Sequence, residues 1–414
     1  MAMNVRNKII PYGRHHITQE DIDAVVEVLH SDHLTQGQKV KEFEEKFAEY
    51  IGSKYAVAVA NGTAALHLSA LAMNIQPGDK VITTPITFAA SANCVLYAGG
   101  QVDFVDIDPD TYLMNLDKLE KKLDSNPPGT YKGVIPVDFA GYPMNMERVK
   151  KIADKHNLWI IEDACHAPGG FFVNAEDNKQ CCGNGNYADL AIFSFHPVKH
   201  IAAAEGGMIT TNDETLYKKL QMLRTHGITK DSAIFQNNLS TALGQQPNAN
   251  SQWPSWYYEM QQLGYNYRLS DIHAALGISQ LKRADENLKN RQMIAEKYDE
   301  AFKDLHQITT PASPQPTANG QQLMANGQHA YHLYVIQANN RKELYEHLRA
   351  NDIYAQVHYI PIHLQPHYSQ MGWKHDVFPV AEKYYKKCLS LPIYPTLTKS
   401  KQEYVIKKIT VFFQ

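Results

Sequence analysis

The chain has few cysteines, no long apolar run and almost no excess of either charge. Its five cysteines, at positions 94, 165, 181, 182 and 388, form an odd and sparse set. That set excludes the disulfide framework on which small secreted domains depend. Cys181 and Cys182 adjoin, and Cys165 and His166 lie in the same region, but no C-x-x-C spacing accompanies them and no metal site is expected. The 19 histidines contain no H-E-x-x-H pair or comparable ligand spacing. No run of about 18 apolar residues occurs, and MAMNVRNKIIPYG lacks a signal peptide's apolar segment. The expectation is a soluble, cytoplasmic chain with no membrane partner. Net charge is −3 with 20% charged residues, which leaves no electrostatic footprint for nucleic acid.

What is present is a long alternation of strand-like and helix-like segments. At 414 residues the chain is long enough for two or three domains. TQEDIDAVVEVLH (18–30) reads as an amphipathic helix with Thr18 and Asp21 at capping-box spacing. A second helix over 39–51 follows the LTQG loop. AVAVANGTAALHLSALAM is a strand, a glycine turn and a helix; VITTP, VDFVDID and GVIPVDFAG are further strands, with helices between them. This rhythm implies an α/β fold with a doubly wound, mostly parallel sheet. The expected division is a large domain over 12–285 and a smaller C-terminal α/β domain over 286–414. Ser270 to about Leu305 reads as one long helix, and residues 228–263 and 312–327 as polar loops. The aromatic tail WPSWYYE of the first loop is expected to be buried or to line a site.

The chemistry concentrates between residues 158 and 211. Two apolar strand-like runs, Leu158–Ile161 and Leu190–Phe195, each end in reactive side chains: Asp163 and His166 after the first, Ser194, His196 and Lys199 after the second. In an open α/β sheet, groups at the carboxyl ends of strands converge on one crevice. A carboxylate and an amine sharing a pocket suit pyridoxal phosphate, the amine condensing with its aldehyde and the carboxylate keeping the pyridine nitrogen protonated. Each residue also has a plainer reading. An aspartate after a strand serves as a helix N-cap, and a lysine as a solvated surface group. Asn61, Gly62 and Thr63 begin a helix, where free N–H groups favour a phosphate, although many such turns carry glycine for geometry alone.

IEDACHA, FSFHPVK and EGGMITT, in that order, resemble the cofactor core of the DegT/DnrJ/EryC1/StrS family of sugar-nucleotide aminotransferases. The resemblance runs from about Pro11 to the C-terminus. LTQG (34–37), TPITFAASAN (84–93), GYNYRLSDIHAALG (264–277) and VHYIPIHLQPHY (357–368) place it nearest the pseudaminic-acid branch. It implies an aspartate aminotransferase-like fold, pyridoxal 5′-phosphate as cofactor, L-glutamate as amino donor and a UDP-linked 4-keto-6-deoxy-N-acetylhexosamine as acceptor. Residue by residue it implies Lys199 and Asp163 as catalytic. Gly62, Thr63, Ala64 and Ser194 are implied at the cofactor phosphate, Phe88 stacked on the ring and His166 beside it. Asn266 and Arg268 are implied to reach the phosphate of a second subunit, making a homodimer with shared sites. Thr35, Gln36, His358 and Tyr359 are implied as substrate contacts.

Without the resemblance, Phe88 reads as core, Arg268 as a surface ion-pair residue, and His358 and Tyr359 as half-buried edge residues. Two departures stand out: Ala202 and Ala203 occupy positions where many relatives carry Thr-Thr, and the segment near 171–186 is longer than in compact relatives. Competing readings are an aminotransferase for a different nucleotide 4-keto-6-deoxy sugar, and a non-catalytic regulator that binds the cofactor or a sugar nucleotide. A family dehydratase is disfavoured, because those enzymes replace the lysine with histidine.

Overall fold

The strands that carry the reactive residues are apolar along their whole length. Leu190, Ala191, Ile192 and Phe193 are fully buried, as are Val57, Ala58 and Val59, the pattern of strands covered on both faces. In the computed structural model, which describes residues 9–236, 253–312 and 327–414, they belong to one seven-stranded sheet. Its spatial order is Tyr55–Val59, Gly207–Thr211, Leu190–Ser194, Trp159–Asp163, Tyr131–Val134, Lys80–Thr83 and Gln101–Phe104. Gly207–Thr211 pairs antiparallel with both neighbours, and the other pairings are parallel. The parallel strands therefore send Asn61, Thr87, Asp163 and Ser194 out of the same edge of the sheet.

Local signals in the sequence set the helices that frame this edge. The helix Gln19–Leu29 starts at a capping box between Thr18 and Asp21. The next, Gln38–Ile51, begins after Gly37 and ends at Gly52, whose φ of 84° needs a residue without a side chain. Its first turn is capped from 234 residues away: Asp271 accepts from Gly37 N at 2.8 Å and from Lys39 N at 2.9 Å. A carboxylate at that position answers both the orphan N–H groups and the helix dipole. The helix Gly62–Ala72 has Asn61 as its N-cap, with the side chain accepting from Ala64 N at 2.8 Å.

Towards the C-terminus, a three-stranded antiparallel sheet joins Ile308–Thr309, Tyr334–Ala338 and Cys388–Leu391. Tyr298, Phe302, Tyr334, Leu344 and Val405 pack a second core around it. The long helix expected from Ser270 is two helices, Asp271–Leu281 and Ala284–Phe302. The break falls at Arg283, which leaves helical geometry (φ −111°, ψ 11°) where its guanidinium meets the fully buried carboxylate of Asp21 at 2.7 Å. The strand before VHYIPIH (357–363) is only Ile353–Tyr354, and the chain then runs on without strand, tied to Ser390 through paired backbone bonds with Gln356.

The residues expected as loops are structured in part. Ile228–Thr229 pairs with Glu259–Met260, and Phe235 meets Trp253 and Tyr257 edge-on while those two rings stack. The centres of both expected loops, 237–252 and 313–326, lie outside the described residues. The insert near 171–186 is a hairpin, Phe171–Val173 with Lys179–Cys181, joined by Gly327–Gln328.

Candidate active site

A cavity of about 650 Å³ opens at the carboxyl edge of the central sheet. At one end lies the first turn of the helix Gly62–Ala72, where Gly62 and Thr63 line the wall. These N–H groups have no partner within their own helix. Gly62 leaves little room for a side chain, since an added Cβ would lie 3.0 Å from Cβ of Ser194. That contact brings the Ser194 hydroxyl beside the helix start and forms a cup that a phosphate fits.

Asp163, at the end of its strand, lines the same cavity and is 5% exposed. It is held by two donors, Ser91 Oγ to Oδ2 at 2.6 Å and Cys165 N to Oδ1 at 3.2 Å. The plainer N-cap role does not describe it, because no helix follows the strand Trp159–Asp163 before the hairpin. Ser91 has one proton and gives it to the carboxylate, so Thr87, 2.7 Å from Ser91, donates to Ser91 in turn. Lys199 lines the cavity with its amine 3.5 Å from Nε2 of His332. Burial pushes its pKa down, against a smaller upward pull from Cys165 and Asp163. A lysine in this state is neutral more of the time than a solvated one, and so more available as base and nucleophile.

The remaining walls are aromatic. Phe88 is 60% exposed although large and apolar, so its ring faces the cavity and is not core. His166 is buried and accepts from Ala140 N through Nδ1 at 3.2 Å. In the neutral ring its proton therefore sits on Nε2. Burial, together with Lys199, holds the pKa of His166 well below the ordinary value. His358 and Tyr359 also line the cavity. His358 is anchored through Nδ1 to Ser390 Oγ at 2.8 Å, and Tyr359 faces Phe88, Phe139 and His166.

One chain thus brings together Gly62, Thr63, Phe88, Asp163, His166, Ser194, Lys199, His358 and Tyr359. Ala64 lies one step further into the helix and is buried behind the wall. Thr35, Gln36, Asn266 and Arg268 are elsewhere. Gln36 and Arg268 line a separate cavity of about 360 Å³ with Glu44 and Arg224. Thr35 bridges to Ser270, and Asn266 to Thr225. Sequence reasoning missed Ser91, His332 and Glu205. Ser91 follows Thr87 at a helical i, i+4 spacing, a signal that gains meaning only once the Asp163 carboxylate is known to face it.

Behind Asp163, ligand atoms of Asp138, Glu162 and Cys182 lie within 4.8 Å of one another. Burial raises both carboxyl groups, Asp138 to about 7. A buried pair in such contact shares a proton in preference to carrying two charges.

The residues present fit pyridoxal phosphate: a helix-start cup with a hydroxyl for the phosphate, an amine of lowered pKa for the aldehyde, and a hydrogen-bonded carboxylate for the pyridine nitrogen. Ala202 and Ala203 are both buried, so the side chains that replace Thr-Thr in relatives pack against protein.

Comparison with known proteins gives a consistent picture. Residues 15–410 match the model of the DegT/DnrJ/EryC1/StrS aminotransferase family. Spore coat polysaccharide biosynthesis protein SpsC of Bacillus subtilis is 37% identical, covering 98% of this chain and 97% of its own. The UDP-4-amino-4,6-dideoxy-N-acetyl-beta-L-altrosamine transaminase of Campylobacter jejuni serotype O:23/36 is 36% identical, again covering 98% and 97%. Among solved structures, Helicobacter pylori PseC, an aminotransferase involved in the biosynthesis of pseudoaminic acid, superposes with a TM-score of 0.82. It is 30% identical and covers 98% of this chain and 99% of its own. The PLP-form of Spr1654 from Streptococcus pneumoniae superposes with a TM-score of 0.83 at 27% identity, covering 98% of each chain.

Proposed function

The chain belongs to the DegT/DnrJ/EryC1/StrS aminotransferase family, and from that premise we propose a specific reaction for it. It is a pyridoxal-phosphate-dependent aminotransferase acting on nucleotide sugars. The proposed reaction moves the amino group of L-glutamate to C4 of UDP-2-acetamido-2,6-dideoxy-β-L-arabino-hex-4-ulose, a step of pseudaminic acid biosynthesis carried out in the cytoplasm. The observation that carries this reading is the likeness over nearly the whole chain to the Campylobacter transaminase and to PseC.

The cofactor, when bound, supplies an aldehyde for amine exchange and a protonated ring that stabilises a carbanion. The chain's own residues do the rest. Asp163, fixed by Ser91 and Cys165, presents a carboxylate to hold the proton on the pyridine nitrogen. Lys199 moves the proton that leaves the amino acid's α-carbon, a task that requires a neutral amine. Gly62, Thr63 and Ser194 hold the phosphate, and Phe88 and His166 confine the ring. His358 and Tyr359 meet the sugar at the cavity mouth, while Thr35, Gln36, Asn266 and Arg268 act across a homodimer in the neighbouring site. Binding energy from the distant nucleotide orients the keto group for attack.

The test is to supply glutamate with a panel of UDP- and dTDP-linked 4-keto-6-deoxy sugars and to identify the aminated product by NMR. Amination of the UDP-L-arabino-hexulose in preference to the rest is expected. Preference for another sugar overturns the substrate assignment and leaves the aminotransferase intact. The regulator reading fails if the cofactor's absorbance is lost on adding glutamate.

A further inference from the structure

His332 comes from the C-terminal part of the chain, yet it reaches the amine of Lys199 in the central-sheet cavity. Its side chain is 4% exposed, and Nε2 lies 3.5 Å from Lys199 Nζ. The backbone around it is pinned from three directions. Ala330 N donates to Gly141 O at 2.7 Å, and Leu333 N to Ala140 O at 3.1 Å. On the other side, the buried guanidinium of Arg291 donates to the carbonyls of Tyr331, His332 and Ile393 at 3.1–3.3 Å. The ring itself lies tilted against His166 with centroids 4.2 Å apart. A ring held this firmly, with one nitrogen on the reacting amine, exceeds what packing alone requires.

The other nitrogen settles which way the hydrogen bond runs. Nδ1 of His332 is buried with no hydrogen-bond partner among the described residues. Burial, with Lys199 adding to it, keeps the ring's pKa far below the ordinary value, so the ring is neutral and carries one proton. A buried N–H without an acceptor is costlier than a bare acceptor lone pair. The proton therefore belongs on Nε2, where Lys199 is the partner.

We propose that His332 is the hydrogen-bond donor to Lys199, its Nε2–H directed at the amine's lone pair, and that it holds the lysine as the neutral base that proton transfer requires. Other groups face the same amine. Asp163 and Cys165 favour the charged form, and Arg291 disfavours it. His166, His200 and His358 are kept neutral by burial, and His196 stands on the more open side of the cavity. Among the neighbours described, His332 alone has a nitrogen within hydrogen-bond reach of Nζ.

The inference rests on the role given to Lys199 above, but its test reads the ionisation of Lys199 whether or not that lysine carries the cofactor. The enzyme loaded with pyridoxamine 5′-phosphate is labelled with trace acetic anhydride across a pH series. Acetylation of the Lys199 peptide is then measured by mass spectrometry relative to surface lysines. His332→Phe, which removes the donor and keeps the ring shape, is expected to raise the apparent pKa of Lys199 by about one unit, the tenfold shift of one hydrogen bond to the neutral form. His332→Gln, which restores an N–H near the Nε2 position, is expected to return it close to the wild-type value. An unchanged or lowered pKa in His332→Phe, or no recovery in His332→Gln, overturns the proposal. A merely structural role lowers the melting temperature without this pattern. The wild-type protein gives an answer that does not depend on the variants folding: ¹⁵N NMR should find His332 protonated on Nε2, and protonation on Nδ1 contradicts the assignment.

Discussion

Removing the Ser91 hydroxyl perturbs the site through its bond to Asp163. Ser91 Oγ donates to Asp163 Oδ2 at 2.6 Å, and Thr87 Oγ1 stands 2.7 Å from Ser91, all three residues being buried. In Ser91→Ala the carboxylate keeps only the longer bond from Cys165 N, at 3.2 Å, and the Thr87 hydroxyl loses its acceptor. A hydrogen bond to a charged group is worth about 1.5–3 kcal/mol. If about half of that is lost in the orientation of Asp163, the glutamate half-reaction slows by about three- to tenfold. Thr87→Val removes the outer hydroxyl and leaves the Ser91–Asp163 bond in place, so a smaller effect is expected. The assay is the single-turnover loss of cofactor absorbance on mixing with glutamate. A Ser91→Ala rate near wild type, or a Thr87→Val rate below that of Ser91→Ala, refutes the reasoning.

Three further outcomes follow from the same geometry. Tyr359→Phe is expected to lower kcat/KM for the keto sugar by about tenfold while leaving the glutamate half-reaction nearly unchanged, the scale of one lost polar contact; equal losses in both halves return the residue to a structural role. Asp138, whose pKa is raised to about 7 by burial, binds its proton more tightly folded than unfolded. It therefore lends stability below about pH 4 that is lost as pH rises towards 7. Asp138→Asn, which keeps a donor towards Glu162, should show a melting temperature that falls less between pH 5 and pH 8 than the wild type's; parallel curves contradict the shared proton. Mixed dimers of Lys199→Ala and Arg268→Ala chains are expected to recover activity at one intact site, and a proven heterodimer without activity counts against sites shared between subunits.

The parts of the fold legible in the sequence were those set by local chemistry. Apolar runs such as LAIFS, the Thr18–Asp21 box and the glycine turn at Gly62 each specify their element within a few residues. What the sequence hid depends on distant partners. Arg283 breaks the expected helix because its charge meets Asp21, 262 residues away. Asp271 caps a helix 232 residues distant. Within the site, Lys199 and Asp163 were readable because Asp163 closes one strand of the central sheet and Lys199 follows shortly after its neighbour, Leu190–Ser194. His332 was not, since it precedes the strand Tyr334–Ala338 of another sheet and its approach to Lys199 arises from separate backbone anchors. Arg268 and Gln36 were named from the family resemblance alone, and within one chain they line a different cavity.

The most direct test of the account is the identity of the lysine that holds the cofactor. Borohydride reduction of the pyridoxal-phosphate-loaded enzyme, followed by proteolysis and mass spectrometry, fixes the cofactor to the amine with which it has condensed. A single modified peptide containing FSFHPVK is expected, with the added mass on Lys199. Modification of any other lysine contradicts it.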